Sequence, residues 1–214
     1  MKDIHDFKNI IFDLGGVLLG LDYNRTVDEF KKHIKDFDAD VFLGKEAQLS
    51  FFSDYEVGRV TTPDFRKKFC EHYRLDLSEA EFNRCWNAMI IDFPIERVLL
   101  LNRLRRSGKK IFLLSNINEL HEFAVDTCFT NLRISKNIFD LFDKVYYSHR
   151  VGLRKPNIDI FEHVVQDSEI EKGDTVFIDD SLHHILSARK FGLEAIHLAN
   201  GTALENHSFF SSVL

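Results

Sequence analysis

The order of apolar runs along this chain predicts an α/β fold. The expected core is a doubly wound, Rossmann-like parallel sheet of about five strands with helices on both faces, and a helical cap is expected after strand one. Three observations carry this expectation. Five short runs rich in Ile, Val, Phe and Tyr are continuous rather than alternating, which suits strands covered on both faces. Helical patterns separate them, in the βαβ rhythm of a sheet with right-handed crossovers. One long stretch, between the first run and a helix at Glu96, has almost no strand signal.

The strands are expected at Asn9–Phe12, Lys110–Leu114, Lys144–Tyr147, Thr175–Ile178 and Ala195–Leu198. Core helices are expected at Glu96–Ser107, stopped by Gly108, and at Ile158–Val165, where Phe161, Val164 and Val165 share a face. A third, Ser181–Phe191, follows a Ser cap and ends at Gly192. The long stretch reads as helices at Tyr23–Lys35, near Asp40–Phe51, at Thr62–Tyr73 with Pro63 in its first turn, and at Ser78–Met89 behind a Ser78–Glu81 capping box. These divide the chain into an α/β core, residues 1–19 and 93–214, and a cap, residues 20–92. An insert there would sit over the crevice where open α/β sheets bind ligands.

Composition sets outer bounds. With 44% apolar and 29% charged residues the chain is ordinary for a globular protein, and its 21 Phe predict an aromatic interior. A net charge of −6 argues against nucleic-acid partners, which require basic surface. Cys70, Cys85 and Cys128 lack metal spacing and read as reduced, buried thiols. The start, MKDIHDFKN, has no apolar leader-like core, and no run reaches about 18 apolar residues, so a cytoplasmic protein with no membrane partner is expected. A monomer or weak homodimer is the expected state.

The chemistry-bearing residues follow the strands. The first run ends in Asp13-Leu14-Gly15-Gly16, the second in Ser115-Asn116, and the fourth in Asp179-Asp180-Ser181; Arg154-Lys155-Pro156 comes shortly after the third. In a parallel sheet these ends lie side by side. Asp13, Asp179 and Asp180 would then supply hard oxygen ligands for Mg²⁺. Ser115 and the Asn116 amide could bond phosphoryl oxygens, with Lys155 as a point charge. Asp13 would attack phosphorus and form an aspartyl-phosphate. Gly15 and Gly16 would let backbone N–H groups face the anion. Each residue alone has a plainer reading: Asp13 as a turn former, Ser115-Asn116 as an N-cap pair, Lys155 as a solvated lysine, Asp179-Asp180 as helix N-terminal charge. The ordered set of four is what points to phosphoryl transfer.

The chain resembles the haloacid dehalogenase-like hydrolase superfamily over essentially its whole length. IIFDLGGVL, IFLLSN, the Lys155-Pro156 segment and VFIDD resemble its four motifs. More narrowly, FDLGGVL…DYNR, LSNINELH, GLRKP and FIDDSLHHI resemble bacterial α-D-glucose-1-phosphate phosphatases. The resemblance implies a Mg²⁺-dependent phosphatase of a small phosphorylated metabolite, such as a sugar phosphate. It implies Asp13 as nucleophile and metal ligand, and Gly15 as a backbone-carbonyl metal ligand. Ser115, Asn116 and Lys155 would bind phosphate, and Asp180 with Asp179 would complete the metal site.

Two departures qualify it. Phosphatases of this superfamily usually carry a second Asp two residues after the nucleophile, as general acid and base, where this chain has Gly15. Asp22, a cap residue or a water is expected to substitute, or else good leaving groups are favoured. His184 stands where the fourth motif often has Asp or Asn, and a plain helix-surface role is expected for it. Arg150 and Arg154 would attract an anion or be solvated. Two alternatives keep the fold: a metal-independent dehalogenase, which the Asp179-Asp180 pair argues against, and a catalytically weakened ligand-binding relative. A phospho-receiver would need the acidic pair after the first strand, the reverse of the order here.

Overall fold

A computed structural model of the chain describes residues 3–34, 50–133, 137–199 and 202–212. Five parallel strands form one sheet in the order β3-β2-β1-β4-β5: β1 Asn9–Phe12, β2 Lys110–Ser115, β3 Lys144–Tyr147, β4 Thr175–Asp179 and β5 Glu194–His197. The chain builds outward from β1 on one side and then on the other. This leaves a crevice beyond the carboxyl end of β1, between β2 and β4. Register fixes what meets there. Phe12 lies opposite Leu113 of β2 and Ile178 of β4, so the residues just beyond them become neighbours.

Alternate strand residues enter two cores. Ile10, Phe12, Ile111, Leu113, Val176 and Ile178 pack with Val98, Leu101, Leu104, Val125 and Phe129. Ile11, Phe112, Leu114, Phe177 and Ala195 pack on the opposite face with Ile160, Phe161, Val164, Ile185 and Ala188. Both faces of the sheet are therefore covered, which explains the continuous apolar runs. The C-terminal turns add Leu204 and Phe210, the latter beside Phe12 with ring centroids 6.2 Å apart.

Between β1 and β2 lie helices α1 Tyr23–Lys31, α2 Ser50–Glu56, α3 Thr62–Tyr73 and α4 Glu79–Asn87. Most of the expected Asp40–Phe51 helix falls outside the described residues. The expected end of the first helix at Lys35 falls outside them too, α1 having already stopped at Lys31. Caps set the starts of α3 and α4: Thr61 accepts from Asp64 N, and Ser78 with Glu81 forms the capping box. Val27, Phe30, Phe52, Phe65, Phe69, Phe82, Cys85 and Trp86 make a third core, joined by Leu120. Its rings lie in tilted and edge-on contact, Phe65 to Trp86 at 4.8 Å and Phe69 to Phe82 at 5.2 Å. The Phe65–Phe69 stripe is thus interior. Cys85 is buried, whereas Cys70 and Cys128 are only partly so, correcting the expectation of three buried thiols; all three are free.

The chain enters and leaves these helices through adjacent backbone. Gly20 N donates to Asp92 O at 2.8 Å, Ile91 N to Gly20 O at 3.0 Å and Asp22 N to Met89 O at 2.8 Å. The remaining helices are α5 Ile95–Arg106, α6 Glu119–Thr130, α7 Ser148–Val151, α8 Ile158–Asp167 and α9 Leu182–Phe191. Among the described residues no helix is long and apolar enough to cross a membrane.

Candidate active site

Three carboxylates meet at the mouth of the crevice. Asp13 follows β1, Asp179 ends β4 and Asp180 follows it; each offers an oxygen, and all three lie within 4.8 Å of one another. Asp13 N donates to Ile178 O at 2.9 Å, extending the β1–β4 pairing by one residue and fixing where the Asp13 side chain leaves the sheet. Lys155 enters from the loop before α8. Its ammonium lies 2.8 Å from Asp13 Oδ1, 2.7 Å from Asp179 Oδ2 and 3.0 Å from Leu114 O. Three donors thus meet three acceptors, in a side chain only 1% exposed.

This arrangement splits the two acids. Burial pushes the Asp13 carboxyl well above the usual carboxylate range; Lys155 opposes that shift and the charge of Asp179 adds to it. Asp179 is just as desolvated but is held below that range by Lys155 and His184. Its Oδ1 also accepts from Ser181 N at 2.7 Å. A divalent ion between Asp13, Asp179 and Asp180 would reverse the elevation of Asp13. The all-oxygen donor set fits a hard cation such as Mg²⁺.

Glycine is required beside this cluster. Gly16 has φ +73°, and a Cβ there would sit 2.3 Å from Asp180 Oδ2. Gly15, two residues after Asp13, is crowded rather than strained: a Cβ there would meet the terminal methyl Cδ1 of Leu21 at 2.6 Å. Asp22, the nearest acid in sequence that could substitute, uses its carboxylate as the α1 N-cap, accepting from Asn24 N at 3.0 Å.

The other expected site residues divide by role. Ser115 is buried at the end of β2. Asn116 spends its side chain on the Lys155 backbone, donating to Lys155 O at 2.8 Å and accepting from Lys155 N at 2.9 Å. That pair links the β2 and β3 loops and sets where Lys155 starts. Asn118, rather than Ser115-Asn116, caps α6, accepting from His121 N at 3.0 Å. Arg154 holds Glu56 at 2.9 Å and Ser53 at 3.1 Å, so it ties α2 to the core.

Two residues fall outside the expectations. His184 is no helix-surface residue: its Nδ1 lies 3.0 Å from each oxygen of Asp179 and donates to that carboxylate. The helical spacing from Asp179 to His184 hides this contact, because residues 180–181 form a turn before α9 begins at Leu182. Ser181 is its N-cap residue, without the expected side-chain cap bond. Tyr23, first residue of α1, is half exposed as a whole, but its hydroxyl end is desolvated; that desolvation, and then the charges of Asp180, Asp13, Glu56 and Asp179, raise its pKa. It puts a side chain of the helices between β1 and β2 in the field of the carboxylates. Nothing in the pattern of the DYNR segment shows that Tyr23 lies within reach of those charges.

Comparison with known proteins gives the family. The family model for haloacid dehalogenase-like hydrolases matches residues 7–192. A D-ribitol-5-phosphate phosphatase from Bacteroides thetaiotaomicron is 30% identical over 195 residues, covering 91% of this chain and 93% of that protein. A sesquiterpene phosphatase from Aspergillus oryzae is 29% identical, covering 92% of each chain. A haloacid dehalogenase family enzyme from B. thetaiotaomicron, crystallised with magnesium and inorganic phosphate, superposes with a TM-score of 0.79 at 31% identity, over 92% of this chain and 96% of that one. With the family match running from the first core strand to the end of α9, and the four expected polar sites at the strand ends, this chain belongs to the haloacid dehalogenase-like hydrolases.

Proposed function

We propose that the protein is a Mg²⁺-dependent phosphatase of a small phosphorylated metabolite, of the sugar or polyol phosphate class, with Asp13 as the covalent nucleophile. One observation carries the reading: Asp13, Asp179 and Asp180 converge within 4.8 Å at the ends of adjacent strands, with the Lys155 ammonium between two of them. Relatives that act on ribitol 5-phosphate and on sesquiterpene phosphates support phosphate-ester hydrolysis, and the relative crystallised with magnesium and phosphate supports the metal. Glucose 1-phosphate, suggested by sequence resemblance, stays one member of the substrate panel.

Asp13, Asp179, Asp180 and the Gly15 carbonyl would hold the ion. When bound it would offset the negative charge that otherwise keeps a phosphate dianion away from three carboxylates. An Asp13 oxygen then bonds to phosphorus as the ester oxygen leaves with the bonding pair and takes up a proton from solvent water. Water next adds to phosphorus and gives up a proton to solvent, the Asp13–phosphorus bond breaks, inorganic phosphate is released and the Asp13 carboxylate is regenerated. Ser115 and the backbone N–H of Asn116 receive the phosphoryl oxygens, the Asn116 side chain being committed to Lys155. Lys155 aims the Asp13 carboxylate and favours its ionised form. The helices between residues 20 and 92 act as the cap that selects the leaving group, with Tyr23 within electrostatic reach of the carboxylates.

The test is hydrolysis of p-nitrophenyl phosphate and a panel of sugar and polyol phosphates, with Mg²⁺ and with EDTA. Turnover should need Mg²⁺ and vanish in Asp13→Asn. Folded protein that binds phosphate esters with Mg²⁺ but hydrolyses none would defeat the enzymatic reading.

A further inference from the structure

Behind the turn that follows β2 stands a largely enclosed histidine that the reaction itself does not use. Two consecutive residues after β3 hold both polar backbone groups of Ile117. Ile117 N donates to Ser148 Oγ at 2.9 Å, and His149 Nδ1 donates to Ile117 O at 2.8 Å. The other ring nitrogen, Nε2, lies 2.9 Å from Glu122 Oε2. Glu122 also accepts both ends of the Arg150 fork, with Nε at 3.1 Å. Burial alone would raise the Glu122 carboxyl, yet the His149 hydrogen bond and the Arg150 charge hold it below the usual range.

Neither partner of His149 has a proton to give. A backbone carbonyl only accepts, and an ionised carboxylate only accepts. A neutral ring would aim a lone pair at Glu122 or at Ile117 O, in a pocket where that side chain is 12% and Glu122 9% exposed. We propose that His149 is a positioning residue, a two-ended donor that braces the Ser115–Asn118 turn against Glu122 of α6 so that the turn stays shaped for the phosphoryl group. The proposal rests on the reading of Ser115 and Asn116 as phosphate binders. Glu122 of α6 and the Tyr147 ring, stacked at 6.1 Å, face His149; Arg150 and Asp126 act on Glu122. The brace also reaches the cap: Ser148 Oγ lies 2.6 Å from Glu56 O of α2, and Gly58 packs where its Cβ would be 2.2 Å from His149 O.

The two arms of the brace can be cut separately. An Asn amide reaches where Nδ1 of His lies, and a Gln amide where Nε2 lies. His149→Asn keeps the donor to Ile117 O, and His149→Gln keeps the donor to Glu122. Inorganic phosphate binding in Mg²⁺ should weaken roughly tenfold in His149→Gln, the scale of one lost buried hydrogen bond, and by less than about threefold in His149→Asn. Thermal midpoints should fall to a similar extent in both, since each loses one arm. Equal phosphate affinities in the two variants would overturn the proposal. Independently, ¹⁵N-resolved spectra of the unliganded wild-type protein at pH 7 should show both ring N–H protons of His149. A single ring N–H would overturn the proposal even in an active phosphatase. Wild-type protein that binds no phosphate at all would instead defeat the functional reading, and the role of this brace in phosphate binding with it.

Discussion

Leu21 occupies the space above Gly15: a Cβ built on Gly15 would lie 2.6 Å from Leu21 Cδ1. The position that carries the second acid usual in phosphatases of this family has no side chain here, and Leu21 packs beside it. Gly15 has no proton to give a leaving group, and general acid–base help is typically worth about 10²–10⁴-fold.

Rates should accordingly depend steeply on the leaving group. Aryl phosphates, whose oxyanions need no proton, should outrun alkyl phosphates by at least ~10²-fold in kcat. Introducing Gly15→Asp alone requires the terminal methyl of Leu21 to turn aside, so its gain should be smaller. Combining it with Leu21→Ala should narrow the gap by about tenfold or more. Steady-state rates on matched aryl and alkyl esters check this, and an unchanged ratio in the double variant would show that another group already supplies the proton.

Asp13→Asn separates chemistry from stability. The substitution removes the nucleophile, so turnover should fall by roughly 10⁴-fold or more, the scale seen when a covalent nucleophile is deleted. It also removes one of three crowded carboxylates, a group whose ionised form is disfavoured by burial in the metal-free protein. The metal-free thermal midpoint should hold or rise, read by differential scanning fluorimetry in EDTA. Lost folding together with lost activity would leave the nucleophile role without support.

Lys155→Met should behave in the opposite way. It strips the shared cation from Asp13 and Asp179, whose side chains are 10% and 0% exposed. Removing one partner of a buried ion pair costs about 3–5 kcal/mol. The metal-free variant should lose stability on that scale in urea titrations, and saturating Mg²⁺ should restore more of it than it adds to wild type, since ligands stabilise the state they bind. Equal Mg²⁺ increments in the two proteins would argue against a common site.

How much of this was legible in the sequence follows from which contacts are local. The strands were legible because burial on both faces leaves a continuous apolar run, and β1 and β3 fall at their expected bounds. β5 begins one residue earlier than expected, at Glu194, because the start of an edge strand carries little apolar signal. Asp13, Ser115, Lys155 and Asp179-Asp180 could be found because each follows a strand, and parallel register then gathers strand ends. What Asn116 and His184 do could not, since their partners are set by loop geometry: Asn116 bonds a backbone 39 residues away. Leu21 above Gly15 is likewise a contact between residues that no periodicity pairs. His149 carried no motif at all, and its double acceptor environment exists only once β3 lies beside the β2 turn.

His121 gives the clearest pH dependence. Its Nε2 donates to Trp86 O at 3.2 Å, its Nδ1 accepts from the Asn118 amide at 3.1 Å, and its ring stacks on Trp86 at 5.3 Å. Burial lowers its pKa from the ordinary 6.5 to about 4, with the bond to Trp86 O opposing. The folded protein thus keeps this ring neutral where the unfolded chain would protonate it. Stability from this group is complete above pH 6.5, is lost as pH falls from 6.5 to 4, and changes no further below that. At about 1.4 kcal/mol per pH unit, discounted for the partial exposure of the ring, the loss should reach roughly 2–3 kcal/mol. Because Trp86 is the single tryptophan of the chain, its fluorescence follows the unfolding of this contact directly. Urea midpoints measured between pH 7 and pH 4 should fall more steeply in wild type than in His121→Gln, which cannot take up the proton. Parallel pH slopes in the two proteins would mean that the acid sensitivity of the His121–Trp86 contact arises elsewhere.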